Sequence, residues 1–345
     1  MLGIELNFLH VHGGKMPGVS VIMPVKNQED YIEVALHSVM DQEFNDMEVI
    51  VVNDGSTDDT ARKLCSLQHD DRLQIIELPK SQGIVTALNI GLNAATGDFV
   101  ARMDGDDLMH PARIRKQFGF MHSHPDVDLC GCCVTCFCDA GNISQGVHSF
   151  QKWHNSLLTD VDMRRNIYVD SPMVHPTFFG SRSFFRRMGG YQDTGFAEDY
   201  DFIFRSFVSG AKLAKLPERL LQWRDHPNRE IRTNPNLKKD RLFRQKARFF
   251  REFDPLANRP LYLFGIWRYG KSLLDALLEE GLQINGVVDP SGKRLASGVR
   301  GLRAFDMSVE LPEHSVIINA LPISGSPLPE AAAFLADKTV LNWVL

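Results

Sequence analysis

From Val19 onward the chain alternates short β-branched runs with stretches of helical periodicity. VSVIMPV is followed by a segment with Ile32, Ala35, Leu36, Val39 and Met40 on one face, then by EVIVV and a helix after Thr57. A strand at LQIIEL, a helix across IVTALNIGLNAA and a strand FVARMD come next. Strands apolar at nearly every position need cover on both faces, which helices packed above and below a parallel sheet supply. The pattern predicts an α/β fold with a doubly wound, mostly parallel sheet.

Open sheets of this kind bind ligands beyond the carboxyl ends of their strands. Three polar clusters stand where those ends fall: Pro24 to Glu29, Asn53 to Ser56, and Asp104 to Asp107. They are expected to converge on one crevice. With 38 Lys plus Arg against 43 Asp plus Glu, the 345 residues carry a formal charge of -5. That leaves no global field for a polyanion and argues against nucleic acid as the main partner. An anionic ligand must be held by local chemistry.

No stretch reaches the roughly 18 apolar residues of a spanning helix, and the N-terminus lacks a basic segment followed by an apolar one. Five of the six Cys crowd between Cys130 and Cys138, where neighbours on one strand cannot satisfy disulfide geometry. A cytoplasmic protein is expected.

Residues 109 to 230 are less regular, mixing short strands (VDLCGCCVTCFC, HPTFFGS) with short helices, as suits a half that receives a second substrate. A basic helical stretch, LKKDRLFRQKARFFREFD, starts at Leu237. Past Asp254-Pro255 and Arg259-Pro260 a new alternation begins with LYLFG, KSLLDALLEEG, INGVVD and SVIINAL, the pattern of a second, small α/β domain. The expected divisions are an N-terminal extension at 1–17, a main domain at 18–235, a basic helical linker at 236–258 and a small Rossmann-like domain at 259–345.

Asp104-Gly-Asp106-Asp107 sets carboxylates two apart at a strand end, a hard-oxygen pair suited to Mg²⁺ or Mn²⁺ bridging a diphosphate. Taken alone, it reads more readily as an acidic turn, since Asp and Gly are ordinary turn residues. Asp54, in Asn53-Asp54-Gly55-Ser56, can accept hydrogen bonds from a base or ribose, or belong to a helix-capping turn. Glu29 can reach a ribose or complement a helix dipole. Glu198-Asp199-Tyr200-Asp201 opens a helix with Phe202, Ile203 and Phe207 on its apolar face, where acids also suit the helix N-terminus.

Together, VSVIMPVKNQEDYIEVALHSVMDQ, EVIVVNDGSTDDT, GIVTALNIGLNAATGDFVARMDGDD, HPTFFGSRSFFRRMGGYQD and FAEDYDFIFR closely resemble the family 2 glycosyltransferases, which have the A-type nucleotide-sugar-binding fold. The likeness spans about residues 18 to 230. It implies a metal-dependent, inverting enzyme that moves a sugar from a nucleotide-diphosphate donor, UDP being the commonest, to a hydroxyl of a glycan or lipid-linked acceptor. On this sequence the resemblance places Asp54 and Glu29 on the nucleoside and Asp104 near the ribose and α-phosphate. Asp106 falls on the metal, and Asp199 becomes the general base. Pro24 and Glu198 join the substrate-binding set. His226, in QWRDHPN, stands where this fold often supplies a metal-binding His, with Arg224 nearby for a phosphate. Lys26 stands where many members carry Tyr, so stacking on the base is supplied by another residue.

Other readings compete. A nucleotidyltransferase also gathers acids around Mg²⁺ but needs no EDYD base, and a silent nucleotide-sugar-binding module needs no base at all. Gly265 to Ser272 matches GxxxxGK[ST], yet the domain is short for such an ATPase, and Trp267 replaces the middle glycine of a dinucleotide-binding turn that Asp289 would serve at the end of the next strand. The cysteine strand reads as packing rather than zinc. The basic stretch, with Leu242, Phe243, Ala247, Phe250 and Phe253 as its apolar stripe, reads as a packed helix. Peripheral contact with anionic lipid at the inner membrane face is its alternative.

Overall fold

The computed structural model describes residues 16–229, 238–266, 269–322 and 329–344. Nearly all of the N-terminal extension, Leu237 at the start of the basic stretch, and Trp267 lie outside the described residues. Two compact units divide the chain. One takes the chain up to Cys130 with His175–Gly190 and Leu220–Gln222; the other takes Gly131–Val174, Tyr191–Arg219 and the chain from Trp223 on.

In the first unit, β1 (Val19–Val25), β2 (Met47–Asn53), β3 (Leu73–Glu77) and β4 (Phe99–Arg102) alternate with α1 (Ile32–Met40), α2 (Thr60–Ser66) and α3 (Ile84–Ala94). Every residue of β1 and β2 is buried, which explains why these runs lack a polar alternate. α1 buries Ile32, Ala35, Leu36 and Val39, the spacing of a single helical stripe. β2, β1 and β4 run parallel, with Val25 opposite Asn53 and Ile22 opposite Arg102. This register brings the three polar clusters to one rim.

Further elements are β5 (Leu108–Met109), α4 (Arg113–Ser123), β6 (Leu129–Phe137), α5 (Gln145–Ser156), α6 (Asp160–Asn166), β7 (Phe179–Ser181), α7 (Arg182–Arg187), α8 (Glu198–Val208) and β8 (Leu213–Arg224). The eight-stranded sheet has the order β3-β2-β1-β4-β7-β6-β8-β5; β7 joins β4 and β6 antiparallel, as β5 joins β8. Of HPTFFGS, only Phe179–Ser181 is strand, because His175–Thr177 forms a 3₁₀ turn.

In the second unit, α9 (Lys239–Phe253) precedes β9 (Leu261–Phe264), α10 (Gly270–Glu279), β10 (Ile284–Val288), β11 (Ala304–Phe305), β12 (Val316–Asn319), α11 (Pro329–Leu335) and β13 (Thr339–Asn342). Their five-stranded sheet, β11-β10-β9-β12-β13, is parallel throughout. α9 buries Phe243, Ala247, Phe249 and Phe250, while Phe253 is 51% exposed. Its basic face is paired with acids: Arg244 with Glu279, and Arg248 and Arg251 with Glu280. Among the described residues no helix is long and apolar enough to cross a membrane.

Candidate functional site

The rim of the first unit is knitted from the strand ends. Asp54 N donates to the Val25 carbonyl at 2.9 Å, closing β2 onto β1. Asn27 takes a positive φ of 50°, which Asn tolerates better than most residues. Its Oδ1 accepts from Thr57 N at 2.9 Å, while its own N–H donates to Ser56 Oγ at 2.9 Å. Gly55, at φ 61°, has no alternative: a Cβ there would lie 2.5 Å from the Lys80 backbone.

Asp54 is 4% exposed, and its carboxylate is heavily engaged. It accepts from Ser81 Oγ at 2.6 Å, Gln82 N at 2.6 Å and Gly83 N at 3.1 Å. Those partners precede α3, so Asp54 shapes the loop entering that helix. Lys26 Nζ donates to the same Ser81 hydroxyl at 3.0 Å, which sets a cation at the edge of the rim. Glu29 Oε2 accepts from Asp59 N at 2.9 Å, at the N-terminus of α2. That bond thus goes to the turn that opens α2 rather than to α1, the helix that begins near Glu29 in sequence. Pro24 is buried within β1, opposite Val52.

Asp104, Asp106 and Asp107 follow β4. Each offers a carboxylate oxygen, and the three oxygens lie within 4.8 Å of one another. The turn that presents them is pressed against β1: a Cβ on Gly105 would meet Val25 Cγ1 at 2.9 Å and Gln28 Cγ at 3.2 Å. Arg102, 5% exposed at its side chain, forms an ion pair with Asp104. His175 is buried; burial holds its imidazole well below the ordinary range, and Arg102 adds to that while Asp104 opposes it. It is a neutral group at physiological pH. Three hard-oxygen carboxylates in this spacing fit Mg²⁺ or Mn²⁺.

In the second unit, Glu198 and Asp199 occupy the first turn of α8, both partly exposed. Asp199 Oδ1 accepts from Tyr200 N at 2.7 Å. The other two residues of the motif, Tyr200 and Asp201, turn inward. Asp201 points inward to Arg205 Nε at 2.7 Å, and burial pushes its carboxyl up although Arg205 pulls it down. Tyr200 is fully buried and donates its hydroxyl to the Ile167 carbonyl. Arg224, at the end of β8, is 5% exposed and paired with Asp139, with its guanidinium 4.5 Å from the Phe137 ring. His226 is 6% exposed.

The structure thus gathers Pro24, Glu29, Asp54, Asp104 and Asp106 on one rim of the first unit, and carries Glu198, Asp199, Arg224 and His226 in the second. Sequence reasoning missed Asp107 as a third carboxylate, Arg102 as the partner of Asp104, and the Ser81–Gly83 loop as the partner of Asp54. The first was visible in the run of acids. The other two depend on which strand ends adjoin. Among the described residues, no cysteine belongs to a three-ligand metal cluster. Cys130, Cys132, Cys133 and Cys136 are buried as free thiols.

The family described as Glycosyl transferase family 2 matches residues 20–189. The amylovoran biosynthesis glycosyltransferase AmsE of Erwinia amylovora is 30% identical over 208 residues, which are 59% of this chain and 75% of that one. Among solved structures, S. aureus TarS 1-349 in complex with UDP-GlcNAc is similar with a TM-score of 0.55 at 19% identity, over 81% of this chain and 75% of that one. The mannosyltransferase PcManGT of Pyrobaculum calidifontis, in complex with GDP-Man and Mn²⁺, has a TM-score of 0.52 at 20% identity, over 77% of this chain and 74% of that one. At such identities the two structures speak for the fold. The sequence relationship carries the assignment: this chain belongs to glycosyl transferase family 2 and is an enzyme of that class.

Proposed function

We propose that the protein transfers a sugar from a nucleotide-diphosphate donor, with a UDP-sugar the first candidate, to a hydroxyl of a glycan or lipid-linked acceptor with inversion of the anomeric centre. One observation carries the reading: Asp104, Asp106 and Asp107 converge within 4.8 Å at the carboxyl rim of a parallel sheet. Asp106 holds the cation with help from Asp107, and His226 is assigned as a further ligand. A divalent ion bound there offsets the charge that develops on a departing diphosphate.

The residues of the chain do the rest. Asp54 and its loop, with Glu29 and Pro24, form the nucleoside side of the site. Asp104, kept in place by Arg102, faces the ribose and α-phosphate. Arg224 and Glu198 complete the substrate contacts. A sugar hydroxyl is a weak nucleophile near neutrality, so Asp199 takes its proton as the new bond forms, a contribution of about 10² to 10⁴ in rate. The region 259–345, which carries the five-stranded sheet, is read as a small Rossmann-like domain.

The relatives lend support, because TarS was solved with UDP-GlcNAc and PcManGT with GDP-Man and Mn²⁺. The test is a thermal-shift panel of UDP-, GDP- and dTDP-sugars with and without Mn²⁺. A stabilising shift for one nucleotide class that requires the metal is expected. A panel with no shift in either condition would overturn the donor assignment.

A further inference from the structure

Four contacts from one helix grip the chain on both sides of Asp199. Gln245 of α9 is fully buried, and its Nε2 donates to the Ala197 carbonyl at 2.9 Å. The same carbonyl accepts from Asp201 N at 3.0 Å, so it is the first rung of α8. Lys246 Nζ lies 5.8 Å from the Tyr200 ring and donates to the Val169 carbonyl at 2.8 Å. The Arg248 guanidinium sits 4.9 Å from the Phe196 ring. Phe249 stacks on Phe204, centroids 4.2 Å apart and rings 8° from parallel. Positions 245, 246, 248 and 249 share one helical face.

The amide of Gln245 carries a penalty as well as a bond. Its Oε1 is buried with no hydrogen-bond partner among the described residues. An unmet buried acceptor costs about 1 to 3 kcal/mol, and an apolar side chain of similar size would fill the volume without it. The donor end of the amide accounts for its presence. It holds the Ala197 carbonyl, the first acceptor of α8, two residues before Asp199. Asp199 is itself tied to that turn through Tyr200 N.

We propose that Gln245 is a positioning residue for the Asp199 carboxylate, acting through the Ala197 carbonyl. The inference rests on the reading of Asp199 as the base. Gln245→Met removes the donor while keeping the length of the side chain. Gln245→Glu, the second variant should the first not fold, keeps the shape and puts an acceptor where the donor was. In the full chain, hydrogen–deuterium exchange over residues 196–204 is expected to quicken about tenfold. Nucleoside diphosphate release from UDP-GlcNAc and GDP-mannose in Mn²⁺, with water as acceptor, is expected to lose about tenfold in kcat while the donor KM stays within about twofold. Unchanged exchange, unchanged kcat, or a loss carried by KM overturns the proposal. Asp199→Asn separates the two ideas: wild-type turnover in that variant removes the base, whereas an inactive Asp199→Asn beside a fully active Gln245→Met removes only the positioning role.

Discussion

Arg113 Nη2 donates to the backbone carbonyl of Arg102 from 2.9 Å, at the last residue of β4 and two residues before Asp104. Arg113 is fully buried, and its Nε donates to Gln117 Oε1 at 2.8 Å; Gln117 Nε2 in turn donates to the Thr177 carbonyl at 2.8 Å. The strand that delivers the three aspartates is therefore anchored at its root by a buried polar network, and such networks are rigid when every member is satisfied.

Cutting that network should be costly. Arg113→Met is expected to lower unfolding stability by about 3 kcal/mol, because it strands the Arg102 carbonyl and Gln117 in the interior. Urea denaturation measures it, and a change within about 0.5 kcal/mol, the size of an ordinary surface substitution, would show that the network is not structural.

Asp106→Ala is expected to weaken Mn²⁺-dependent binding of nucleoside diphosphate by at least about tenfold while leaving the melting point of the protein without ligand nearly unchanged, since Asp106 is partly exposed. Calorimetric titration of UDP and GDP with Mn²⁺ present reads this directly. An unaltered isotherm would take the metal away from Asp106.

Asp199→Asn keeps size and a hydrogen-bonding oxygen but cannot accept the proton. Donor affinity should stay within about twofold, and transfer should fall by about 10² to 10⁴. The Asn variant working at the wild-type rate would end the role of Asp199 as base.

A single displacement inverts the anomeric centre. Proton NMR of the product formed from an α-linked donor should show a β-linkage in the first turnover. An α-linked product would refute the one-step reaction.

Buried cations give stability a defined pH slope. Lys215 Nζ is held among the carbonyls of His154 and Pro172, and burial brings its ammonium down to about 7. Lys246 is brought down to about 8 by the same cause. Above these values the folded state binds fewer protons than the unfolded chain, up to the ordinary lysine value of 10.5. Stability therefore rises with pH between the lowered values and 10.5, by up to ~1.4 kcal/mol per pH unit for each group. His154, kept well below its ordinary value by burial and then by Lys215, adds the same sign on the acid side. Thermal midpoints across that range should climb, and the slope should lessen in Lys215→Met. A slope as steep in the variant would contradict the assignment to Lys215.

What the sequence determined by itself is the part of the protein written in short-range periodicity. Apolar runs such as Val19–Val25 and the stripe of Ile32, Ala35, Leu36 and Val39 dictate strand and helix through their own spacing, so the α/β class and the acids at the strand ends were legible. Tertiary structure alone decided how those acids are used. Asp54 meets Ser81, Gln82 and Gly83 across 27 to 29 positions, Arg224 meets Asp139 across 85, and Gln245 meets Ala197 across 48. Such pairings follow from strand order and helix packing, which the whole chain sets by burying its apolar surface. A polar side chain takes whichever partner that burial leaves beside it, and no local pattern names the partner in advance.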